Sequence, residues 1–367
     1  MEKIGVGIIG ASTRGWAALG HVPALRVLPD YELRAISTSR RESAEAAAKE
    51  FGVPAAFDDA TDLIVHPDVE LVVVSVKTPD HHRLASAALD AGKMVLLEWP
   101  LGSNTAQAAD LAARAEAAGV RTVIGLQAGF SPVVRYVRDL IAEGYVGEVL
   151  ATTLIGSGLA WGAEVPRAMA YTFDVASGAT PLTSSTMHAL EAVNHVLGDF
   201  AGVSANLVRG RKEIRLTDGE GVIASNVADQ VSVIGTLRSG AAVSVFYRGG
   251  SSRGGNMRWE INGTDGDLIL SAPGPNGNLQ VLDMTLEGGR GKDTTVAQIT
   301  VPDRYFDPVP RTLTGPAHNV AQVYAAFARD VREGTNTVPD FAYALRRHHL
   351  ADTITRASET GTAQVVV

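Results

Sequence analysis

Gly10-Ala-Ser-Thr-Arg-Gly15 follows the apolar run Ile4–Ile9 and precedes a helical pattern. Gly-x-Gly-x-x-Gly at such a place is the dinucleotide fingerprint: the first glycine makes the tight turn, and the last lets a helix pack close on the strand. The middle glycine, which admits backbone to a pyrophosphate, is Ser12 here. Its hydroxyl is an alternative phosphate donor, and Thr13 and Arg14 complete the loop. The competing reading is a plain tight turn of an α/β domain. At the end of the second apolar run, an acid would bind the adenosine ribose of NAD. The chain reads Ser37-Thr38-Ser39-Arg40-Arg41, with no carboxylate until Glu42. Hydroxyls followed by guanidinium forks suit a 2′-phosphate. The pattern therefore favours NADP(H) over NAD(H), with Ser39 and Arg40 as ligands. The alternative leaves both arginines solvated at a helix start. Lys77 ends a further apolar run, directly before Thr78-Pro79, where ligands meet an open parallel sheet. A half-buried lysine there has a lowered pKa and moves protons; a surface-loop lysine is the competing reading.

These residues need a frame. The first part of the chain alternates short β-branched runs with Ala-rich helical patterns. Ile4–Ile9, Leu33–Ser37, Leu71–Val76, Met94–Leu97 and Arg121–Ile124 read as buried strands. Glu42–Phe51, Asp80–Ala91 and Thr105–Ala118 read as helices, with Gly52, Gly92 and Gly119 at their C-caps. Asn104 with Gln107 resembles a capping box. The alternation predicts a doubly wound parallel sheet, a Rossmann domain over residues 1–127. After that come Thr/Val/Ser-rich strand candidates: Val149–Ile155, Val203–Val208, Val227–Leu237, Ala241–Arg248, Met257–Gly263 and Leu268–Ser271. Turn signals at Ser239-Gly240 and Asp265-Gly266 separate them. Helices are expected at Val133–Ala142, Ser184–Leu197, Ala317–Arg332 and Phe341–Ser358, and loops at Ala272–Gly277 and Gly288–Lys292. Residues 128–367 therefore read as an α/β domain with a large, mostly antiparallel, open-faced sheet.

Composition narrows the function classes. Apolar residues make up 46% of the chain, enough for real cores and too much for global disorder. Apolar runs are too short to span a bilayer, and no signal peptide is read at the N-terminus. There is no cysteine, which excludes disulfides and thiol catalysis and fits a reducing cytoplasm. A net charge of −8 argues against direct nucleic-acid binding. His81 and His82 are adjacent and diverge on a helix with no third ligand nearby, so no metal site is expected. His81 instead caps a helix start or lies near the cofactor. His348 and His349, beside Arg346 and Arg347, read as a solvated helix face.

Gly7-Ile-Ile-Gly10, Thr78-Pro79-Asp80-His81 and Ala91-Gly92-Lys93-Met-Val-Leu-Leu-Glu98-Trp-Pro100 occur in that order. Together they resemble the Gfo/Idh/MocA family of nicotinamide oxidoreductases. Gly144-Tyr-Val-Gly-Glu148 and Pro339-Asp340 extend the resemblance along the chain. Gly15-Trp16-Ala17, Glu98-Trp99, Leu126-Gln127, Ser131-Pro132, Ile141-Ala-Glu-Gly-Tyr145 and Tyr171-Thr-Phe-Asp174 are similar to the branch that contains fungal galactose-pathway regulators.

The resemblance implies cofactor contacts at Thr78, His81, Glu98, Trp99, Pro100 and Gln127. It also implies that residue 99 should be the lysine that handles the substrate proton. Tryptophan carries no proton at physiological pH. The family's second motif, Asp-x-x-x-His, falls on Thr183-Ser-Ser-Thr-Met-His188. His188 is kept, Ser184 replaces the aspartate, and Glu191 lies three residues after the histidine. Proton transfer is then expected of His188, Tyr171 and Lys77, with Asp174 orienting one of them or capping a helix. Trp99 and Trp161 would wall a substrate site shared with Tyr171, Asp174, Ser184 and His188; alternatively Trp99 only fills the lysine's space. The first reading is an NAD(P)-dependent enzyme of carbohydrate metabolism acting on a sugar, polyol or keto-sugar, as a homodimer or homotetramer. The second is a catalytically silent, dinucleotide-binding regulator.

Overall fold

The computed structural model describes residues 3–366. The chain forms two compact units: one comprises the chain up to Gln127 with Phe306–His348, the other Ala128–Tyr305 with the chain from His349 on.

In the first unit β1 (Ile4–Ile9), β2 (Tyr31–Ser37), β3 (Ala55–Phe57), β4 (Leu71–Val74), β5 (Met94–Glu98) and β6 (Thr122–Gly125) form one sheet. Their order is β3-β2-β1-β4-β5-β6, all parallel. This is the doubly wound order, whose switch point lies between β1 and β4. Val6, Ile8, Leu71–Val74 and Val95–Leu97 are all buried, as strands covered on both faces must be. Helix Arg41–Phe51 stops at Gly52 (φ 66°) and helix Thr105–Ala118 at Gly119 (φ 65°). Both glycines adopt the left-handed conformation that a side chain disfavours. Asn104 accepts from Gln107 N at 3.0 Å, while Gln107 Oε1 reaches Ser103 N at 2.9 Å, one residue short of the usual reciprocal bond. Strand β3 escapes the sequence patterns because it has only three half-buried residues.

Residues 306–348, which the sequence reading joins to the second domain, pack with the first unit. Helix Pro316–Glu333 lies against the helical segments Ala17–His21 and Val22–Arg26. Ile124 N donates to Pro339 O at 2.9 Å beside edge strand β6.

The second unit is a nine-stranded sheet with a small satellite sheet. Its strands are β7 (Val149–Gly158), β8 (Glu164–Val165), β9 (Phe200–Val208), β10 (Glu213–Leu216), β11 (Val222–Ala224), β12 (Gln230–Leu237), β13 (Ala242–Gly249), β14 (Met257–Gly263), β15 (Gly266–Ala272), β16 (Thr285–Arg290), β17 (Ala297–Gln298) and β18 (Gln364–Val365). The large sheet runs β17-β16-β15-β14-β7-β13-β12-β9-β18 and is antiparallel except where β13 meets β7. Register puts Val233, Val245, Leu154, Trp259, Leu270 and Leu286 in one buried row across it. The neighbouring row of Ile234, Ser244 and Thr153 is exposed, as alternation requires of a sheet with one covered face.

Gly288–Lys292 is only partly a loop. Gly288 to Arg290 belong to β16, and a Cβ on Gly288 would lie 2.7 Å from Ile299 Cδ1. The glycine marks close packing inside a strand rather than a turn.

Candidate functional site

Gly10 leaves β1 with φ 89°, and a Cβ there would meet Ser75 O at 2.2 Å. Only glycine fits this turn. Gly10 N and Ala11 N both donate to Ser37 O, at 2.9 and 3.1 Å, which brings the loop against the end of β2. Ser12 and Arg14 are exposed. Among the described residues, the Thr13 and Arg14 N–H groups have no internal acceptor. A Cβ on Gly15 would lie 2.9 Å from Ser12 Oγ. Backbone donors and a hydroxyl at the carboxyl end of a parallel sheet, with no side chain crowding them, fit a dinucleotide pyrophosphate.

The two arginines after β2 differ. Arg41 donates to Glu45 Oε1 at 2.7 Å and to Ala56 O at 3.2 Å. Arg40 is exposed, and only its carbonyl is engaged, by Thr38 Oγ1 at 3.0 Å and Ser43 Oγ at 2.8 Å. Ser39 is exposed beside it. Among the described residues, the Arg40 guanidinium has no partner.

Lys77 stands at the head of the short 3-10 helix Thr78–Asp80 and is exposed, which corrects the half-buried setting expected of it, whereas Thr78 is buried. His81 is wholly buried, with Nδ1 2.8 Å from Pro100 O and Nε2 3.1 Å from Val76 O. Burial pushes its pKa down, against the pull of those carbonyls. A neutral ring carries one N–H and so donates to only one of these two carbonyls at a time. His81 thus ties the chain after β4 to the chain after β5. His82 instead meets Asp110 at 2.8 Å on the surface. No group of three or more His, Asp or Glu side chains able to hold a metal ion occurs among the described residues.

Glu98 ends β5, and the Trp99–Pro100 bond is cis. The Glu98 carboxylate lies over Gly125, where a Cβ would come within 2.9 Å of Oε2. Its Oε1 is 2.9 Å from His21 Nε2, a charge contact set off the line of an ideal hydrogen bond. His21 ends the segment Ala17–His21, a single π-helical turn of a kind frequent at functional sites. His21 Nδ1 is 2.9 Å from Tyr324 Oη. Burial holds the Tyr324 phenol well above the usual tyrosine pKa, so it stays protonated.

Trp99 is 6% exposed, and its ring centre lies 4.9 Å from that of His348. The solvated face expected of His348 is therefore corrected: His348 and Arg347 are buried, while Arg346 and His349 are exposed. Four successive residues cover the full turn of a helix, so they cannot all share one face. Gln127, at the end of the first unit, is buried, with Oε1 unpartnered among the described residues.

The remaining candidates belong to the second unit. His188 is 6% exposed, in helix Met187–Leu197. Ser184 is half-buried and lies in a π-helical turn, Leu182–Thr186, ahead of that helix, so the two do not share one α-helical register. Glu191 is buried. Tyr171 is half-buried, and burial raises its pKa. Asp174 is exposed; it accepts from Asn226 Nδ2 at 3.0 Å and Ala176 N at 3.1 Å, which lower its pKa and make it a helix cap. Trp161 lies in a core cluster with Val165, Phe173, Ile214, Leu216 and Val227, its Nε1–H donating to Thr172 O at 3.0 Å.

Sequence reasoning missed His21, Tyr324 and the ring contact of His348. His21 sits in an ordinary helical pattern, and Tyr324 lies some three hundred residues away (|i−j| = 303). No local spacing signals such a pair.

Comparison with known proteins identifies the family and the fold. A model of the oxidoreductase family with an NAD-binding Rossmann fold, Gfo/Idh/MocA, matches residues 4–126, and one of the Gal80p C-terminal domain matches residues 132–272. Dehydrogenase aclE of Aspergillus oryzae is 31% identical over 288 residues, covering 74% of this chain and 78% of that protein. The galactose/lactose metabolism regulatory protein GAL80 of Saccharomyces cerevisiae is 24% identical over 315 residues, covering 80% and 72%. The fold of levoglucosan dehydrogenase, solved with NADH and levoglucosan, superposes with a TM-score of 0.86 at 21% identity, covering 100% of both chains. The chain belongs to the Gfo/Idh/MocA oxidoreductase family and carries a Gal80p-like C-terminal domain.

Proposed function

We propose that the chain is an NAD(P)-dependent oxidoreductase acting on a CH–OH or C=O group of a sugar, polyol or keto-sugar, with NADP(H) preferred. The observation that carries this reading is the open Gly10–Gly15 loop beside the unpartnered, exposed Arg40. A guanidinium without an internal carboxylate is available to a 2′-phosphate, while Arg41 is already committed to Glu45. The carbohydrate class is supported by the relatives named levoglucosan dehydrogenase and 1,5-anhydro-D-fructose reductase.

A bound nicotinamide supplies hydride chemistry; the protein binds it, orients it and handles a proton. Gly10, Ser12, Thr13, Arg14 and Gly15 hold the pyrophosphate, and Ser39 and Arg40 the 2′-phosphate. Proton handling is assigned to His188, an imidazole that can both give and take a proton, with Tyr171 and Lys77 as further carriers. The exposed row of Ile234, Ser244 and Thr153 is the assigned face of a homodimer.

A second reading is a catalytically silent regulator. It is favoured by the buried Trp99 where the family has its proton-handling lysine, and by the relationship to GAL80. Loss of a positioned acid/base typically costs about 10²- to 10⁴-fold in rate without removing cofactor binding. Fluorescence titration with NADPH and NADH, followed by a turnover screen over sugars and keto-sugars, separates the two. Turnover supports the enzyme; tight binding without turnover supports the regulator; no binding of either nucleotide overturns both.

A further inference from the structure

Each residue of the Glu98-Trp99-Pro100 turn is held by a different histidine. His21 meets the Glu98 carboxylate at 2.9 Å, His348 packs on the Trp99 ring at 4.9 Å, and His81 binds Pro100 O at 2.8 Å. Of the three, Glu98 is the one whose side chain bears a carboxylate and keeps 16% of its surface at the carboxyl end of the sheet.

We propose that His21 is a positioning residue of the dinucleotide site: it fixes Glu98 Oε1, so that Oε2 is presented to a hydroxyl or amide N–H of the bound dinucleotide. The inference rests on the dinucleotide-binding reading and adds His21 and Tyr324 to it. A carboxylate accepts, and His21 Nε2 stands 2.9 Å from Glu98 Oε1, close enough to hold that oxygen although off the line of an ideal hydrogen bond. On its other side, His21 Nδ1 lies 2.9 Å from Tyr324 Oη, so the ring is held between the phenol and the carboxylate. Tyr324 is fixed in turn, since Tyr31 Oη donates to its carbonyl at 2.7 Å.

The rest of the carboxylate's surroundings agree. His21 is 1% exposed, whereas the Glu98 side chain keeps 16% of its surface. Among the described residues no donor is bonded to Oε2, and the space beside it is kept by Gly125, whose missing Cβ would lie 2.9 Å away. The π-helical turn that begins two residues after Gly15 delivers His21 to this place. One segment therefore carries both the phosphate loop and the residue that orients Glu98.

The test is a titration of the full chain with NADPH and NADH, with a thermal midpoint for each variant as a fold control. His21→Phe and Glu98→Gln should each weaken binding at least tenfold, and the double variant should be no weaker than the worse single one. His21→Gln, whose amide N–H replaces Nε2–H, should bind within threefold of the wild type. Rescue of that kind is not expected if His21 only fills space. Gly125→Ala, which pushes the carboxylate off its seat, should weaken binding without touching His21. Should His21→Phe not fold, Gly125→Ala and Tyr324→Phe carry the comparison, each with a several-fold loss expected. Wild-type affinity in folded His21→Phe, or fully additive losses in the double variant, would overturn the proposal while leaving dinucleotide binding intact. Failure of the wild type to bind either nucleotide would overturn the dinucleotide reading itself, and this inference with it.

Discussion

The Gly10–Gly15 loop and the Glu98-Trp99-Pro100 turn both leave the carboxyl edge of the same parallel sheet, yet they are made in opposite ways. The loop shows its polar groups: Ser12 and Arg14 are exposed, and the Thr13 and Arg14 amides are uncommitted among the described residues. The turn is closed, with its indole buried and each residue held by a histidine. A site that binds must keep donors free, whereas a site that orients must use them up. The contrast shows why a tryptophan at position 99 does not disturb the phosphate loop: the altered side chain is buried inside the turn, and the loop's donors stay exposed.

That contrast can be broken in several places. The largest effect is expected at Trp99. Trp99→Ala removes a buried indole and should cost about 3–5 kcal/mol of stability, read from urea unfolding; a loss under 1 kcal/mol would show that the turn is not packed as described. Gly10→Ala comes next. Its positive φ and the 2.2 Å approach to Ser75 O predict a loss of roughly 2–3 kcal/mol and failure of nucleotide binding.

Outside both regions, His195 supplies a pH control. Burial first, then Arg138 and Arg135, push its pKa down to about 4. The unfolded chain takes up this proton near pH 6.5 and the folded one only near 4. Stability is therefore full above pH 6.5 and falls as the pH drops toward 4, by about 2–3 kcal/mol. His195→Gln should flatten that slope; an unchanged slope would assign it to other groups. The smallest effect sharpens the open region. Arg40→Ala should weaken NADPH about tenfold and leave NADH nearly unchanged, an effect of about 1.4 kcal/mol. Arg41→Ala should move neither, and equal losses for both nucleotides in Arg40→Ala would remove the 2′-phosphate assignment.

Much of the first unit is legible in the sequence, because its strands are continuous apolar runs and its helices end on glycines that need positive φ. Patterns fail where a tertiary neighbour decides. Gly288 reads as loop but lies in a strand because Ile299 and Leu268 leave no room for a side chain. His348 reads as solvated because its neighbours are charged, yet it packs on Trp99, far away in the chain. The fingerprint glycines are visible because their spacing is local. His21 is not visible, because its partners Glu98 and Tyr324 come from distant segments. The π-helical turns at Ala17–His21 and Leu182–Thr186 also lie beyond periodicity, since each shifts the helical register by one residue within a few positions.

The most direct test of the proposed activity is steady-state turnover of NADPH and NADP with a panel of sugars, polyols and keto-sugars, on protein already shown to bind nucleotide. The expected result is measurable turnover with at least one substrate, faster with the phosphorylated nucleotide and lowered at least tenfold in His188→Ala. Tight nucleotide binding with no turnover of any compound would contradict the enzyme and leave the regulator.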